Sequence, residues 1–510
     1  MSTRQREMDL PARMSEHEAL MWNIEKDPWL NPSGGSLTLL DRELDFGHFQ
    51  QVLRFGVANT PRLFQRVVPG FARLSTPAWA VDTEFDLDAH LRQIALPSPG
   101  SERQLLDLAT QLYSEPLDRT RPLWRFVVIN GVEGGRGAIF AIIHHSVSDG
   151  IGQMRMAEMY QQLSRDLTPP PEVDLDAIIA EAAANEAAKE SGGNVASSAL
   201  GPIQQSVGHQ VRRQLGIGRR VAAELAMWPA DPSRAGEQAG KVVASVRSAV
   251  STIGPSDDGD RAGSPLLAER SRHRHLEWVR LDLDDLKTVR AAFGGTVNDV
   301  FLAGMAEAVH RYHVARNTPI ESASSSFVVS TRTDKKAGGN AFTPVPVALP
   351  AGKMSIRKRV QAIVDVVEAA KEETKKSGGM TAMSGVINLL PISVVTQTAR
   401  SAAQHIDFAT SNLRGAPFPL YCSGAQVEAT IAMGPVAGTG ANITAMSYNG
   451  DFDIGLFLDP AAYTDPEGFR DAVESSFADI VADAKKRTKA KKKSTKPKKE
   501  KKSLGSKGRI

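Results

Sequence analysis

Two α/β or α+β lobes with largely antiparallel or mixed sheets, joined by a long crossover, is the fold this sequence predicts. Three observations lead there. The chain has 510 residues, 41% of them hydrophobic, more than a single core ordinarily uses. Strand-like and helix-like runs alternate in both halves. Between the halves, TPPPEVD (168–174) carries three consecutive prolines, which neither a helix interior nor a central strand accommodates. An Ala-, Ser- and Gly-rich stretch follows. The expected segments are a first lobe over 1–166, a crossover over 167–275, a second lobe over 276–484 and a tail over 485–510.

WRFVVIN (124–130) and GAIFAIIHH (137–145) are strand-like runs joined by GVEGGR, which makes a hairpin that ends in two adjacent histidines. Downstream, GIGQMRMAEMYQQLSRD (150–166) reads as one helix with Met154, Met156, Met159 and Leu163 on its apolar side. In the crossover, 203–228 reads as an amphipathic helix with Arg212, Arg213, Arg219 and Arg220 on one face. Packing on the body is favoured over lying on a membrane, because Gly208, Gly216 and Gly218 weaken it as a free helix.

The second lobe opens with the alternating strand LEWVRLDL (276–283) and a helix closed by Gly294 and Gly295. TVNDVFLAGMAEAVHRYHVAR (296–316) follows as a long helix with Thr296 as N-cap. SSFVVSTR (325–332) and FTPVPVAL (342–349) read as strands. A helix is expected over about 355–376 and a second helical run to about residue 404. ITAMSYNG (443–450) and DFDIGLFLD (451–459) flank Asn449-Gly450, a strong hairpin signal, and a last helix runs from about residue 465 into the basic tail.

Composition bounds the chemistry. A lone cysteine, Cys422, excludes an internal disulfide framework and a cysteine metal cluster, and a core position is its expected place. The N-terminal residues lack an apolar signal region, and no apolar run approaches the roughly 20 residues of a membrane span; VINLLPISVV (386–395) is short and contains Pro391. The expectation is a cytoplasmic protein whose membrane contact is peripheral. Of the formal net charge of +3, residues 485–510 hold +13 (14 Lys or Arg against Glu500), which leaves −10 on the rest. Such a segment is expected to be disordered, as a solubilising tail or an attractor of anionic lipid or, without sequence preference, nucleic acid.

The histidine pair in AIIHHSVSDG (141–150) admits three readings. His145 and Asp149 as metal ligands would need a continuous helix to share one face, and a turn intervenes. Both histidines could be satisfied core groups. Adjacent strand residues face opposite ways, so one can be structural while the other faces a cleft. One imidazole, with its ordinary pKa near 6.5, could instead serve as a general base. No GxSxG elbow or cysteine with a nearby motif histidine offers an acyl carrier, which leaves activation of an external acceptor. His310 and His313, an HxxH without a third ligand, read as ordinary residues, and GPVAGTG (434–440) reads as a loop because no GK[ST] follows.

HHSVSDG matches the HHxxxDG motif of the acyltransferase superfamily that includes chloramphenicol acetyltransferase, plant alcohol acyltransferases and nonribosomal peptide condensation domains. RPLW (121–124), TVNDVFLAG (296–304) and SYNG (447–450) resemble, in order, the PLW, ND and late SYN motifs of the bacterial wax ester synthase/diacylglycerol acyltransferase family, over roughly residues 15–480. The resemblance implies two chloramphenicol-acetyltransferase-like lobes with a tunnel between them for acyl-CoA and a diacylglycerol or long-chain alcohol, with no cofactor or metal. It implies His145 as general base and His144 as its orienting neighbour. Asp149 would brace the turn, plausibly against an arginine such as Arg332. Gly150 opens a helix whose N-terminus can face the developing oxyanion, and Asn298 can orient substrate or His145 as readily as tie helix to strand. Trp124 is expected in the core, with an acyl-chain contact as the alternative. One departure stands out: SNLRGAP (411–417) replaces a SNxPGP-like segment, which places Arg414 and Ala416 near the cleft and bears on acceptor choice.

The first expectation is therefore an O-acyltransferase that moves a long acyl chain from CoA to diacylglycerol or a fatty alcohol. Two alternatives are a condensation-type acyltransferase fed by a carrier protein and a weakly active scaffold that coats lipid or nucleic acid. The absence of an adjoining carrier domain, together with the PLW and ND motifs, argues against the carrier-fed enzyme.

Overall fold

The structure is a computed structural model and describes residues 12–70, 75–191, 264–330, 342–377 and 392–494. The first half of the chain gives α1 (Glu16–Ile24), β1 (Ser33–Leu40), α2 (Phe46–Ala58), β2 (Gln65–Val68), β3 (Ala78–Val81), β4 (Leu91–Ala95), α3 (Glu102–Ser114), β5 (Trp124–Val132), β6 (Arg136–His144), α4 (Gly150–Ala157) and α5 (Leu175–Ser191). The second half gives β7 (His275–Asp282), α6 (Leu283–Phe293), α7 (Val297–Val314), β8 (Ser322–Ser330), β9 (Phe342–Pro350), α8 (Ile356–Ser377), α9 (Ile392–Gln404), β10 (Phe408–Arg414), β11 (Tyr421–Cys422), β12 (Ala425–Met433), β13 (Ala441–Tyr448), β14 (Asp451–Leu458) and α10 (Pro466–Ser494).

Local chemistry sets several of these boundaries. Ser15, Ser101 and Thr296 each start a helix with a reciprocal capping box, closed by Glu18, Gln104 and Asp299 respectively. That accounts for the acid of the ND motif: Asp299 is a capping residue. The expected turn at Asn449-Gly450 joins β13 to β14 with both residues at positive φ, 47° and 98°.

Two mixed sheets result. The first has the order β11-β12-β1-β6-β5-β4, with β4 parallel to β5 and the other pairs antiparallel. The second has the order β7-β14-β13-β10-β8-β9, with β10 parallel to both β13 and β8. One core gathers Phe49, Trp124, Phe126 and Tyr160, and a second gathers Phe301, Phe408, Phe452 and Phe477. β11 and β12 come from the second half of the chain yet complete the first sheet, so the lobes follow the sheets and not one cut in the chain. Polar contacts also join them: Arg103 of α3 reaches Glu277 of β7 at 2.6 Å, and Trp278 Nε1 donates to Glu102 at 2.9 Å.

Two elements differ from expectation. α4 ends at Ala157, eight residues long, with none of its residues buried. The chain leaves the helix because Tyr160 enters the core and Gln162 pairs with Tyr421 through two backbone hydrogen bonds of 2.7 and 2.9 Å, so tertiary pairing overrides helical propensity and leaves Leu163 75% exposed. The tail is not disordered from residue 485, because α10 continues to Ser494. Lys485 pairs with Asp285 of α6 at 2.6 Å and Arg487 lies over the Phe293 ring, so basic residues extend a helix already nucleated and docked. Residues 495–510 and the amphipathic segment 203–228 lie outside the described residues. Among the described residues, no helix is long and apolar enough to cross a membrane.

Candidate active site

β6 is the third strand from one end of the first sheet's long edge-to-edge order, between β1 and β5, and is buried over 137–144. A central strand covered on both faces reads as a continuous apolar run, which is why AIIHH is apolar up to the histidines. The pairing holds to the last residue, with His144 opposite Ser33, and His145 N–H donates to the Pro32 carbonyl at 3.2 Å. The strand then ends at SVSDG.

His144 is fully buried. Its Nδ1 accepts from the Ser146 backbone N–H at 3.0 Å and lies 2.6 Å from Ser146 Oγ. A backbone N–H can only donate, so in the neutral ring the proton sits on Nε2, which is 3.5 Å from Glu25 Oε2. Glu25 is paired with Arg119, whose guanidinium also stacks over Trp22. Burial pushes the Glu25 carboxyl upward, but hydrogen bonds and charge from His144 and Arg119 outweigh it and hold the group below the usual carboxylate range. The Trp22 ring meets His144 edge-on, with centroids 6.4 Å apart. His144 is thus locked in tautomer and orientation by its neighbours. His145, 8% exposed, follows it at the strand end.

Asp149 is the N-cap of α4, with its carboxylate accepting from Gly152 N–H at 2.9 Å. Its charge also acts on His17 of α1, a buried imidazole whose pKa burial lowers to about 4 against the opposing pull of Asp149. Arg332, the expected brace, lies outside the described residues. Gly150 and Ile151 belong to the first turn, whose N–H groups have no intrahelical acceptor. Across the lobes, a Cβ at Gly150 would stand 3.2 Å from Leu413 of β10, so glycine lets the SNLRG strand approach the helix start. Next to Leu413, Asn412 donates to the Asn298 side-chain oxygen at 3.4 Å. Asn298 therefore ties α7 to β10 beside the motif. We expect Asp149→Ala to lower stability by about 1 kcal/mol through the lost cap, together with activity. Thermal melting compared with turnover checks this; an unchanged Tm with selective loss of turnover would contradict a bracing role.

Residues 14–301 match the wax ester synthase/diacylglycerol acyltransferase catalytic domain, and residues 338–481 match that family's C-terminal domain. The chain belongs to the wax ester synthase/diacylglycerol acyltransferase family. A Mycobacterium tuberculosis relative that carries a diacylglycerol O-acyltransferase name is 29% identical over 471 residues, covering 91% of this chain and 90% of the relative. A second from the same species, with the same kind of name, is 27% identical over 434 residues, covering 82% and 85%. Among solved structures, the wax ester synthase/diacylglycerol acyltransferase of Marinobacter aquaeolei VT8 superposes with a TM-score of 0.61 at 21% identity, over 93% of this chain and all of that one. The first condensation domain of the calcium-dependent antibiotic synthetase gives 0.53 at 17%, over 93% and 97%. These likenesses establish the fold, and the family makes the chain an acyltransferase.

The family motifs occupy distinct structural places. Trp124 of the PLW motif is 1% exposed, donates Nε1–H to the Leu63 carbonyl at 2.7 Å and stacks on His90 with centroids 4.5 Å apart. A side chain so enclosed packs as a core residue. Tyr448 of the SYN motif accepts from Leu420 N–H at 2.7 Å and is 3.2 Å from the Val427 carbonyl, so it anchors the chain as it crosses into the first sheet. His313 is buried with Nδ1 2.7 Å from the Val309 carbonyl and Nε2 2.5 Å from Ser264 Oγ, a core role. Cys422 is buried, and burial pushes its thiol up to about 12. GPVAGTG packs as a loop: Val436 exchanges backbone hydrogen bonds with Asn31, and Gly434 O accepts from Tyr113.

Sequence reasoning missed the α1 contribution of His17 and Trp22, together with Glu25 just beyond the helix and Arg119. A capping box announces that helix, but which polar side chains face the motif depends on how α1 docks, and no local pattern encodes that.

Proposed function

We propose that the chain is an O-acyltransferase that moves a long-chain acyl group from acyl-CoA to a diacylglycerol or a long-chain alcohol by direct transfer. The observation that carries this reading is the junction of β6 and α4. There an orientationally locked His144 precedes His145, and a helix start bearing Gly150 faces β10 of the other lobe. In this reading His145 takes the proton from the acceptor hydroxyl as its oxygen attacks the thioester carbonyl. The first-turn N–H groups of α4 stabilise the negative charge on the carbonyl oxygen. Collapse breaks the C–S bond, the CoA thiolate takes the proton back from His145, and ester and free CoA leave. His144 and Glu25 are positioning residues. Arg414 and Ala416, beside Leu413, are candidate determinants of acceptor choice.

Purified full-length protein with radiolabelled palmitoyl-CoA, given diolein or hexadecanol, tests the reading. Labelled triacylglycerol or wax ester is expected. Failure with both acceptors, with transfer restored by an acyl carrier protein donor, would move the chain to the carrier-fed class.

The basic tail gives this enzyme a route to lipid. Residues 495–510 hold seven Lys or Arg against Glu500, and each basic residue near an anionic surface contributes about 1 kcal/mol. Truncation after residue 494, which keeps the docked α10 intact, is expected to weaken binding to anionic vesicles and its salt sensitivity while leaving turnover of dispersed short-chain substrates. Sedimentation with vesicles checks this, with duplex DNA run beside it because the same charge attracts nucleic acid. Equal sedimentation of both proteins at low salt would leave the tail without a docking role.

A further inference from the structure

Between α1 and the β2–β3 pair lies a cavity of about 490 Å³ whose charge is one-sided. Lys26, Arg66 and Arg119 line it beside Ser75, Thr76 and Thr120, and among the described residues no Asp or Glu does. Behind this wall Arg13 donates to Ser75 Oγ at 3.1 Å and to the Thr76 carbonyl at 2.9 Å, which adds a fourth cation to the neighbourhood. Exposed Lys26 and half-buried Arg66 form no ion pair with any described residue. Like charges gathered on one concave wall repel, and a shared anion relieves that repulsion. A planar guanidinium fork and a point-charge ammonium both suit the oxygens of a phosphate group.

This cavity is walled off from the reacting centre. All of its lining residues come from the first half of the chain, and buried Trp22 stands between it and His144, its ring meeting the imidazole edge-on. A ligand held here therefore touches no reacting atom. It does touch Arg119, which has a second task. Arg119 Nη1 and His144 Nε2 approach one and the same atom, Glu25 Oε2, the imidazole at 3.5 Å. The Glu25 side chain is only 14% exposed, so its charge depends on these two neighbours. An anion that draws the Arg119 guanidinium toward the cavity weakens its pairing with Glu25 and brings a second negative charge close to that carboxylate. The hold of Glu25 on His144 then loosens. We propose that the cavity is a control site for a phosphate or phosphomonoester group, with Lys26, Arg66 and Arg119 as binding residues, whose occupancy lowers turnover through Arg119, Glu25 and His144. The inference rests on the proposed positioning role of His144 and Glu25 and adds a ligand that regulates it.

The test uses the full-length protein as wild type, Lys26→Ala, Arg66→Ala and Glu25→Gln, with inorganic phosphate as the probe and sodium chloride at matched ionic strength as the control. Calorimetry follows binding. The kcat and KM for palmitoyl-CoA, with diolein as acceptor, are measured with and without phosphate, each protein being compared with itself. One lost charge-assisted contact corresponds to about a tenfold weaker Kd. We expect that loss in Arg66→Ala and a smaller one in Lys26→Ala. In wild type, saturating phosphate should lower kcat by about fivefold or more, the low end of coupling between linked sites, with KM for palmitoyl-CoA unchanged. Glu25→Gln should bind phosphate at least as tightly as wild type, because the competitor for Arg119 is weakened, while its kcat no longer responds. Glycerol 3-phosphate and phosphatidate-containing vesicles then separate a soluble source from a lipid headgroup, and Arg66→Ala should weaken whichever binds. Unaltered phosphate affinity in folded Lys26→Ala and Arg66→Ala proteins, or binding that leaves the wild-type kcat unchanged, would overturn the control site. Inhibition that palmitoyl-CoA relieves would overturn it too, since a rise in KM alone puts the anion in the donor's path. A wild type that binds phosphate through Arg66 but turns over no palmitoyl-CoA with diolein or hexadecanol would remove the parent reading, and the control with it.

Discussion

Replacing His145 by alanine is expected to lower turnover by about two to four orders of magnitude, the usual contribution of a general base, in a protein that still folds. The residue sits at the end of β6, where its backbone N–H is held by Pro32 and its neighbour His144 is fixed by Ser146 and Glu25, so the substitution removes an imidazole without disturbing the strand register. Because a base acts on the chemical step, kcat should carry the loss. Steady-state kinetics on palmitoyl-CoA with a fixed acceptor, beside a thermal melt, checks this. Near-wild-type turnover in a well-folded variant would remove His145 as the base.

His17 gives the second large effect, on stability against pH. Its folded pKa, lowered by burial to about 4 from 6.5, means that the unfolded chain binds a proton in this window and the folded chain does not. Folding stability from this group is therefore fully present above pH 6.5 and is lost as pH falls toward 4, by about 3 kcal/mol in all. Asp407 works in the opposite sense. Burial raises its carboxyl to about 6, so its contribution falls as pH rises between 3.8 and 6, and the two slopes offset each other in the wild type. The difference between wild type and His17→Gln isolates the imidazole. We expect the stability of wild type relative to His17→Gln to drop by about 3 kcal/mol between pH 7.5 and 4, read from urea denaturation at each pH. A difference that stays flat across that range would mean that His17 is solvated in solution.

Much of the architecture was legible because it is written locally. The β5–β6 hairpin, the Thr296 cap, the Asn449-Gly450 turn and the strand-end histidines depend on residues a few positions apart. What escaped depends on distant partners. α4 stops nine residues short of its helical pattern because Gln162 pairs with Tyr421, 259 residues away in sequence. The charge of the basic tail predicts disorder, yet its first turns continue a helix docked on α6. β12, from the second half of the chain, joins the first sheet through a pairing that no periodicity announces. The same holds within the site. HHSVSDG named the histidines, but Glu25 and Trp22 reach His144, and Arg119 reaches Glu25, through tertiary packing alone.

Direct transfer from acyl-CoA to a hydroxyl acceptor, with His145 as the base, is tested by following the label without the acceptor. Enzyme at substrate-level concentration is mixed with radiolabelled palmitoyl-CoA, with and without diolein, and quenched. Free CoA and label on lipid and on protein are then counted. CoA is expected to be released only when diolein is present, with the label in triacylglycerol and none on the protein, and His145→Ala should slow that release by the same factor as turnover. Label on the protein at one equivalent per active site in the absence of acceptor would contradict direct transfer.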